Sequence, residues 1–180
     1  YLCAAVLRPG NVTAAVGAVG ILRRLIGLIR YFLPGVRLRV RLDGGFAHPA
    51  VLDWLEAEPN LEYVVAMAKN AVLKRKAKPA MRRARKLARH SGQTAHVYDE
   101  ARYAARTWPH ERRVILQAEI VQAAGKAPKD NPRFVITNLP QTPQWIYEQV
   151  YCQRGEIENR IKELHDLQID RTSCSQFWAN

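Results

Sequence analysis

The chain has 180 residues, 48% of them hydrophobic, enough for one domain with a real core, so a largely disordered chain is excluded. Its 28 Lys and Arg against 16 Asp and Glu leave a formal charge of +12, which predicts a polyanionic partner, nucleic acid ahead of anionic membrane.

Residues 2–8 read as a strand, and Arg8-Pro9-Gly10-Asn11 as a turn. The apolar stretch that follows resembles a membrane span in length, but Arg23, Arg24 and Arg30 interrupt it. Its Val12, Val16, Val19, Leu22, Ile26, Ile29 and Leu33 recur every three or four residues, which predicts an amphipathic helix over about 12–33, stopped by Pro34-Gly35. Val36, Leu38, Val40 and Leu42 alternate with Arg37, Arg39 and Arg41, the period of a strand with one buried face. A short helix starts at Pro49 and breaks at Pro59-Asn60, and Glu62–Ala68 is a further strand. Strand, helix, strand, helix, strand with short connections predicts parallel pairing and an α/β layer architecture.

Between Lys74 and His90 the character changes. Lys74, Arg75, Lys76, Lys78, Arg82, Arg83, Arg85, Lys86 and Arg89 supply nine positive charges without one acid. Ala80, Met81, Ala84, Leu87 and Ala88 form a narrow apolar stripe at helical spacing, so the segment reads as a docked helix with a basic outer face. Two strands are expected within 94–123, a polar loop over 125–132 and a strand over 133–139. Thr142 can cap and Pro143 can open a last long helix running to about His165.

Asp43 falls at the carboxyl end of a parallel strand, where ligands bind in open α/β sheets, and Gly44 and Gly45 let the backbone turn beside its carboxylate. The same residues also suit an ordinary Asp-Gly turn. On the last helix Tyr151, Arg154, Glu158 and His165 fall within roughly 60° of one another at 100° per residue. They lie beside the apolar row Ile146, Val150, Ile157, Ile161 and Leu164, and an Arg154–Glu158 ion pair is the plainer explanation of that flank. A carboxylate at a strand end and another on a helix packed on the same sheet can share Mg²⁺, which takes one or two carboxylates plus phosphate. Two such ions bracket an in-line phosphoryl displacement, which predicts the Asp43 and Glu158 carboxylates about 4–8 Å apart.

The run Arg41-Leu42-Asp43-Gly44-Gly45-Phe46-Ala47 resembles the R-x-D-(S/G)-G-F-A block around the second catalytic aspartate of bacterial insertion-sequence DDE transposases. Leu52-Asp53-Trp54-Leu55, then Tyr63-Val64-Val65 through Asn70 and Leu73, continue the likeness, and Leu7-Arg8-Pro9-Gly10-Asn11 looks like the family's L-R-P-G-N turn. Tyr151, Arg154 and Glu158 match Y-x2-R-x3-E of the Y-R-E-K signature. The most similar group is transposase DDE domain group 1.

The resemblance implies an α/β, RNase H-like mixed sheet flanked by helices, with a basic helix plus strands inserted between the second Asp and the Glu. It divides the chain into 1–70, the first part of the catalytic core, 71–130, a basic insertion, and 131–180, the return strand and the helix of the catalytic Glu. It implies a Mg²⁺-dependent Asp-Asp-Glu triad, with Mn²⁺ as substitute, that nicks DNA at transposon ends and joins the 3′ hydroxyl to target DNA. Asp43 would be the second Asp and Glu158 the Glu, both binding metal. Tyr151, Arg154 and His165 would contact phosphate at the cut end, His165 standing where the family has Lys. Lys74, Arg75, Lys76, Arg82, Arg83, Arg85, Lys86 and Arg89 would track the DNA backbone. The partners would be double-stranded DNA, transposon ends and target, in a dimeric synaptic complex, with no membrane, in a bacterial cytoplasm at the nucleoid.

No acidic residue precedes Asp43, and both ends read as cut, the closing helix barely begun at Ser175. The 180 residues alone are therefore expected not to cut DNA. A truncated module that only grips DNA and a nuclease of the same fold with other biology are the alternative readings. Trp54, Trp108, Trp145 and Trp178 read as packing residues rather than base-stacking platforms. His48, His90, His96 and His110 lack metal-ligand spacing. Cys3, Cys152 and Cys174, far apart and without a C-x-x-C pair, exclude a disulfide scaffold and a zinc ribbon and read as buried small residues in a reducing compartment.

Overall fold

In the computed structural model, Val6 and residues 11–153 are described. The predicted strand over 2–8, the L-R-P-G-N turn apart from Asn11, and Arg154, Glu158, His165, Trp178, Cys3 and Cys174 lie outside them.

The helix predicted from residue 12 begins later, as α1 (Ala18–Phe32). Gly17 before it has φ 73°, a left-handed conformation that ends any helical run arriving from Val12. Val16 is accordingly exposed, although it fits the helical phase. Arg30 of α1 pairs with Glu58 at 2.7 Å. Strand β1 (Leu38–Leu42) is shorter than the alternation suggests, because its partner β2 (Leu61–Met67) starts at Leu61, which faces Leu38, just past the Pro59-Asn60 turn. Helix α2 (Pro49–Ala57) lies between them with Pro49 in its first turn and the His48 ring accepting from the Ala50 N–H at 3.3 Å.

Helix α3 (Ala71–Ser91) is capped by Asn70, whose side-chain oxygen accepts from the Leu73 N–H at 2.9 Å. It buries Leu73, Ala77, Ala80, Met81, Ala84 and Ala88. Leu87, expected in that stripe, is instead 51% exposed. It lines an open groove with Val97 of the edge strand and the basic residues Arg83, Lys86 and Arg89. Strands β3 (Ala95–Tyr103) and β4 (Arg112–Val121) form a long antiparallel hairpin. The segment expected to be all loop contains a two-residue strand, β5 (Lys129–Asp130), because the chain folds back on the end of β4. Strand β6 (Arg133–Thr137) inserts between β2 and β4. Thr142 and Pro143 open the last helix as expected, but α4 (Pro143–Trp145) passes at once into a π-helical turn, Ile146–Tyr151. The Cys152 N–H donates to the Tyr147 carbonyl at 2.8 Å, five residues back. Cys152 follows that turn and is exposed, not buried.

The sheet order is β1-β2-β6-β4-β3, with β5 beside β4. Among the described residues only β1–β2 is parallel, as predicted, and the other pairings are antiparallel. The result is an α/β fold with a mixed sheet, compatible with the RNase H-like class. Because side chains alternate along a strand, the two faces carry separate cores. Tyr63, Val65, Leu116 and Ile136 pack under α1, α2 and α3. Val64, Ile115 and Val135 pack under Ile146, Tyr147 and Val150. Helices thus cover both faces, three on one and the α4 segment on the other. Among the described residues no helix is long and apolar enough to cross a membrane.

Candidate functional site

Asp43 follows β1 directly. Its extended backbone (φ −79°, ψ 179°) continues the strand, and its side chain caps the 3-10 turn Gly44–Phe46. One carboxylate oxygen accepts from the Gly45 N–H at 2.8 Å. The other has no hydrogen-bond partner among the described residues, and the residue is exposed. The Asp-Gly turn therefore exists, and it leaves the second oxygen without a partner among the described residues.

Gly45 is required by close approach. A Cβ there would stand 2.9 Å from the Ala14 Cβ and 3.1 Å from the Asp43 oxygen. Gly45→Ala should therefore displace the turn and cost about 1–3 kcal/mol, the usual cost of overpacking. A thermal melt checks this, and an unchanged melting temperature would mean that the contact yields freely.

Both arginines of β1 have partners, although Arg39 stays exposed. Arg41, two residues before Asp43, donates to the Val150 carbonyl at 2.9 Å. Arg39 lies 5.7 Å from the Trp145 ring centroid and bonds Glu62 at 2.9 Å through Nε. The strand that ends in Asp43 is thus tied to the segment that ends in Tyr151. Tyr151 is partly buried, its ring 5.1 Å from that of Tyr147, which in turn lies 5.7 Å from Tyr98. Of the sequence-predicted site residues, Asp43 and Tyr151 are brought to two segments that Arg41 joins, while Glu158, Arg154 and His165 fall outside the described part.

The eight predicted backbone-tracking residues all lie on α3. Two of them have acidic partners: Arg83 bonds Asp99 at 2.6 Å, and Arg85 bonds Asp130 at 3.1 Å through Nε. Trp108 is in the core, Trp54 packs against it, and Trp145 lies beside Arg39, in line with packing roles. His96 and His110 sit against Glu119 and Glu56 at 3.1 and 2.9 Å. No group of three metal-ligating side chains occurs among the described residues.

The family model for transposase DDE domain group 1 matches residues 1–180. The chain belongs to that family. No curated protein and no solved structure matches it. Membership makes this a DDE transposase domain, a class that binds DNA and depends on divalent metal. Asp43 fits such an ion by its chemistry. Mg²⁺-type cations are hard and oxygen-seeking, and are held by one or two carboxylates completed by phosphate and water. A carboxylate with one oxygen fixed by an N–H, and the other without a hydrogen-bond partner among the described residues, meets that need.

A second polar constellation went unread in the sequence. Arg112 is buried, with its guanidinium 4.8 Å from the Trp108 ring centroid. It bonds Glu56 at 2.9 and 3.0 Å and also Asp53. The Tyr63 hydroxyl donates to Glu56 at 2.7 Å. Burial opposes the Glu56 charge, but the bonds from Arg112, Tyr63 and His110 prevail and hold its carboxyl below the ordinary glutamate value. Burial and the Glu56 charge both push the Tyr63 phenol upward. Asp53 and Glu56, one helical turn apart on α2, were a visible signal, but their cation lies more than fifty residues away in sequence. This network is at the opposite end of the sheet from Asp43, since Arg112 opens β4 and Tyr63 lies near the start of β2.

Proposed function

We propose that this transposase domain carries the second aspartate, Asp43, and the glutamate, Glu158, of a Mg²⁺-dependent triad that cuts DNA at transposon ends and transfers the strand. The observation that supports this reading most is the Arg41–Val150 bond, which links the strand bearing Asp43 to the segment bearing Tyr151. Bound Mg²⁺ or Mn²⁺ supplies charge stabilisation on phosphoryl oxygens and eases ionisation of water. The chain's own residues position. Gly45 holds one oxygen of Asp43 so that the other faces the cation. Tyr151 and Arg154, with His165 in the place of the family Lys, bind phosphate beside the cut. The α3 cations bind the DNA backbone, and two copies bridge two ends.

In the first step water attacks phosphorus and the 3′ oxygen leaves, taking a proton. In the second that 3′ hydroxyl attacks a target phosphate and loses its proton as the target's own 3′ oxygen departs. The test is cleavage and strand transfer by the complete reading frame that encodes these residues, on duplexes carrying its terminal repeats. Turnover that needs Mg²⁺ and stops with chelator is expected. Chelator-resistant cutting would overturn the reading.

A further inference from the structure

We propose that the outer edge of β3 and the neighbouring flank of α3 form a docking groove for an extended acidic peptide segment of another protein, which joins the sheet as an added strand. This stands apart from the Asp43 reading and does not need it.

Among the described residues β3 pairs with β4 alone, so it ends the sheet on that side. It is nine residues long, and its outer edge offers N–H and C=O groups without a strand to meet them. Edges are commonly blunted by a bulge, a proline or a lysine. β3 has none of these. Its register runs unbroken from Ala95 opposite Ile120 to Tyr103 opposite Arg112, and it contains neither Pro nor Lys. Its acids, Asp99 and Glu100, are taken up by Arg83 and Arg113 of the same fold. An open edge of this length is a template for a further strand.

Beside that edge lies an open groove of about 800 Å³. Leu87, 51% exposed, and Val97 supply its apolar lining, and Arg83, Lys86, Arg89 and His90 the rest. Val97 and Asp99 are on the side of the sheet that α3 covers, where Asp99 bonds Arg83 at 2.6 Å. An acid on a strand beside α3 is therefore held by α3. Lys86 and Arg89 have no acidic partner among the described residues. A strand added about 4.8 Å outside β3, with acids on the side facing α3, supplies those partners, and an apolar side chain between the acids covers Leu87 and Val97.

Two other occupants fit this chemistry less well. A DNA duplex offers phosphates to Lys86 and Arg89, but it has no strand edge for β3 and nothing apolar for Leu87. A second copy docked by the same edge across a two-fold axis sets Arg83, Lys86 and Arg89 against themselves.

The test uses the full chain and the probe acetyl-Thr-Glu-Thr-Leu-Thr-Glu-Thr-amide, whose threonines favour a strand and whose Glu and Leu share one side. Calorimetry should show saturable binding. Leu87→Ser should weaken it about tenfold, while the melting temperature and the affinity for a random-sequence duplex stay put, because Leu87 is exposed. A probe with Gln for Glu should bind several-fold less tightly and lose its salt dependence. Two further probes are N-methylated at alternate residues, one on each edge of the peptide strand. One should bind and the other should not, since only one edge faces β3. Equal binding by both would overturn strand addition and the proposal with it. So would an absence of saturable binding by the parent probe. Loss of duplex affinity in Leu87→Ser to the same degree would assign the groove to DNA, and Leu87-dependent self-association that the probe competes away would assign it to a second copy; either overturns the proposal. None of these results bears on Asp43, which is tested by cleavage.

Discussion

Asp43→Asn is expected to lower DNA cleavage by the complete reading frame at least about 1000-fold and leave its melting temperature unchanged. The substitution keeps the shape and keeps an oxygen to accept from the Gly45 N–H, so the turn survives. What it removes is one negative charge on an exposed oxygen, and changes at exposed positions usually alter stability by less than about 0.5 kcal/mol. A neutral amide holds a hard dication poorly. The several kcal/mol of charge stabilisation that a cation supplies at a transferring phosphoryl group convert to at least about three powers of ten in rate. Single-turnover cleavage, with a melt on the same sample, checks both halves. Activity within tenfold of wild type would remove Asp43 from the chemistry, and a collapsed melt would return it to the turn alone.

Arg112→Met should destabilise the fold by about 3 kcal/mol. Its side chain is 1% exposed, and it neutralises Glu56 and Asp53 together, themselves 24% and 46% exposed. Removing one member of a buried pair costs about 3–5 kcal/mol because the remaining charge stays desolvated. Two features move the expectation to the low end of that range. The acids are partly open to water, and Nη1 of Arg112 is buried without a partner, so its removal returns part of the loss. Urea unfolding measures the difference. Adding Glu56→Gln to Arg112→Met should recover about 1 kcal/mol, since the stranded charge disappears. The same network sets a pH dependence. The carboxyl of Glu56 lies lower in the folded chain than its ordinary value of about 4.5. Below that value the unfolded chain takes up the proton first. The contribution of Glu56 is therefore complete above about pH 4.5 and is lost as pH falls toward the folded-state value. Glu56→Gln should flatten this part of the acid limb.

The elements legible in the sequence were those set by short-range chemistry. The alternation around Val40, Pro49 at a helix start, the stripe through Ala80 and Ala84, and Thr142 before Pro143 each act within a few residues. Tertiary geometry decided the rest. Val12 and Val16 keep perfect helical phase, yet Gly17 adopts a left-handed conformation that the phase does not register. Leu87 keeps the stripe's spacing, yet it stays exposed in a groove beside Val97. Arg41 reads as one of three solvated arginines, and only the return of Val150, 109 residues later, makes it a tie between strand and helix. Within the candidate site, Asp43 and its glycines were readable because a carboxylate turn has a local signature. The Arg112 network was not, because its acids and its cation meet only when α2 and β4 pack together.

The π-helical turn has an arithmetical consequence. It acts as one residue inserted into an otherwise α-helical count, so a wheel drawn from Ile146 at 100° per residue is one step out of register by Tyr151. Tyr151 is thereby turned by about 100° from the bearing relative to the buried Ile146 that an α-count gives it. A single-residue deletion between Ile146 and Tyr151 would restore the α-count and swing Tyr151 around the axis relative to Ile146. Length in this one turn, and not composition, sets the bearing of Tyr151 on the segment that Arg41 ties to the strand before Asp43.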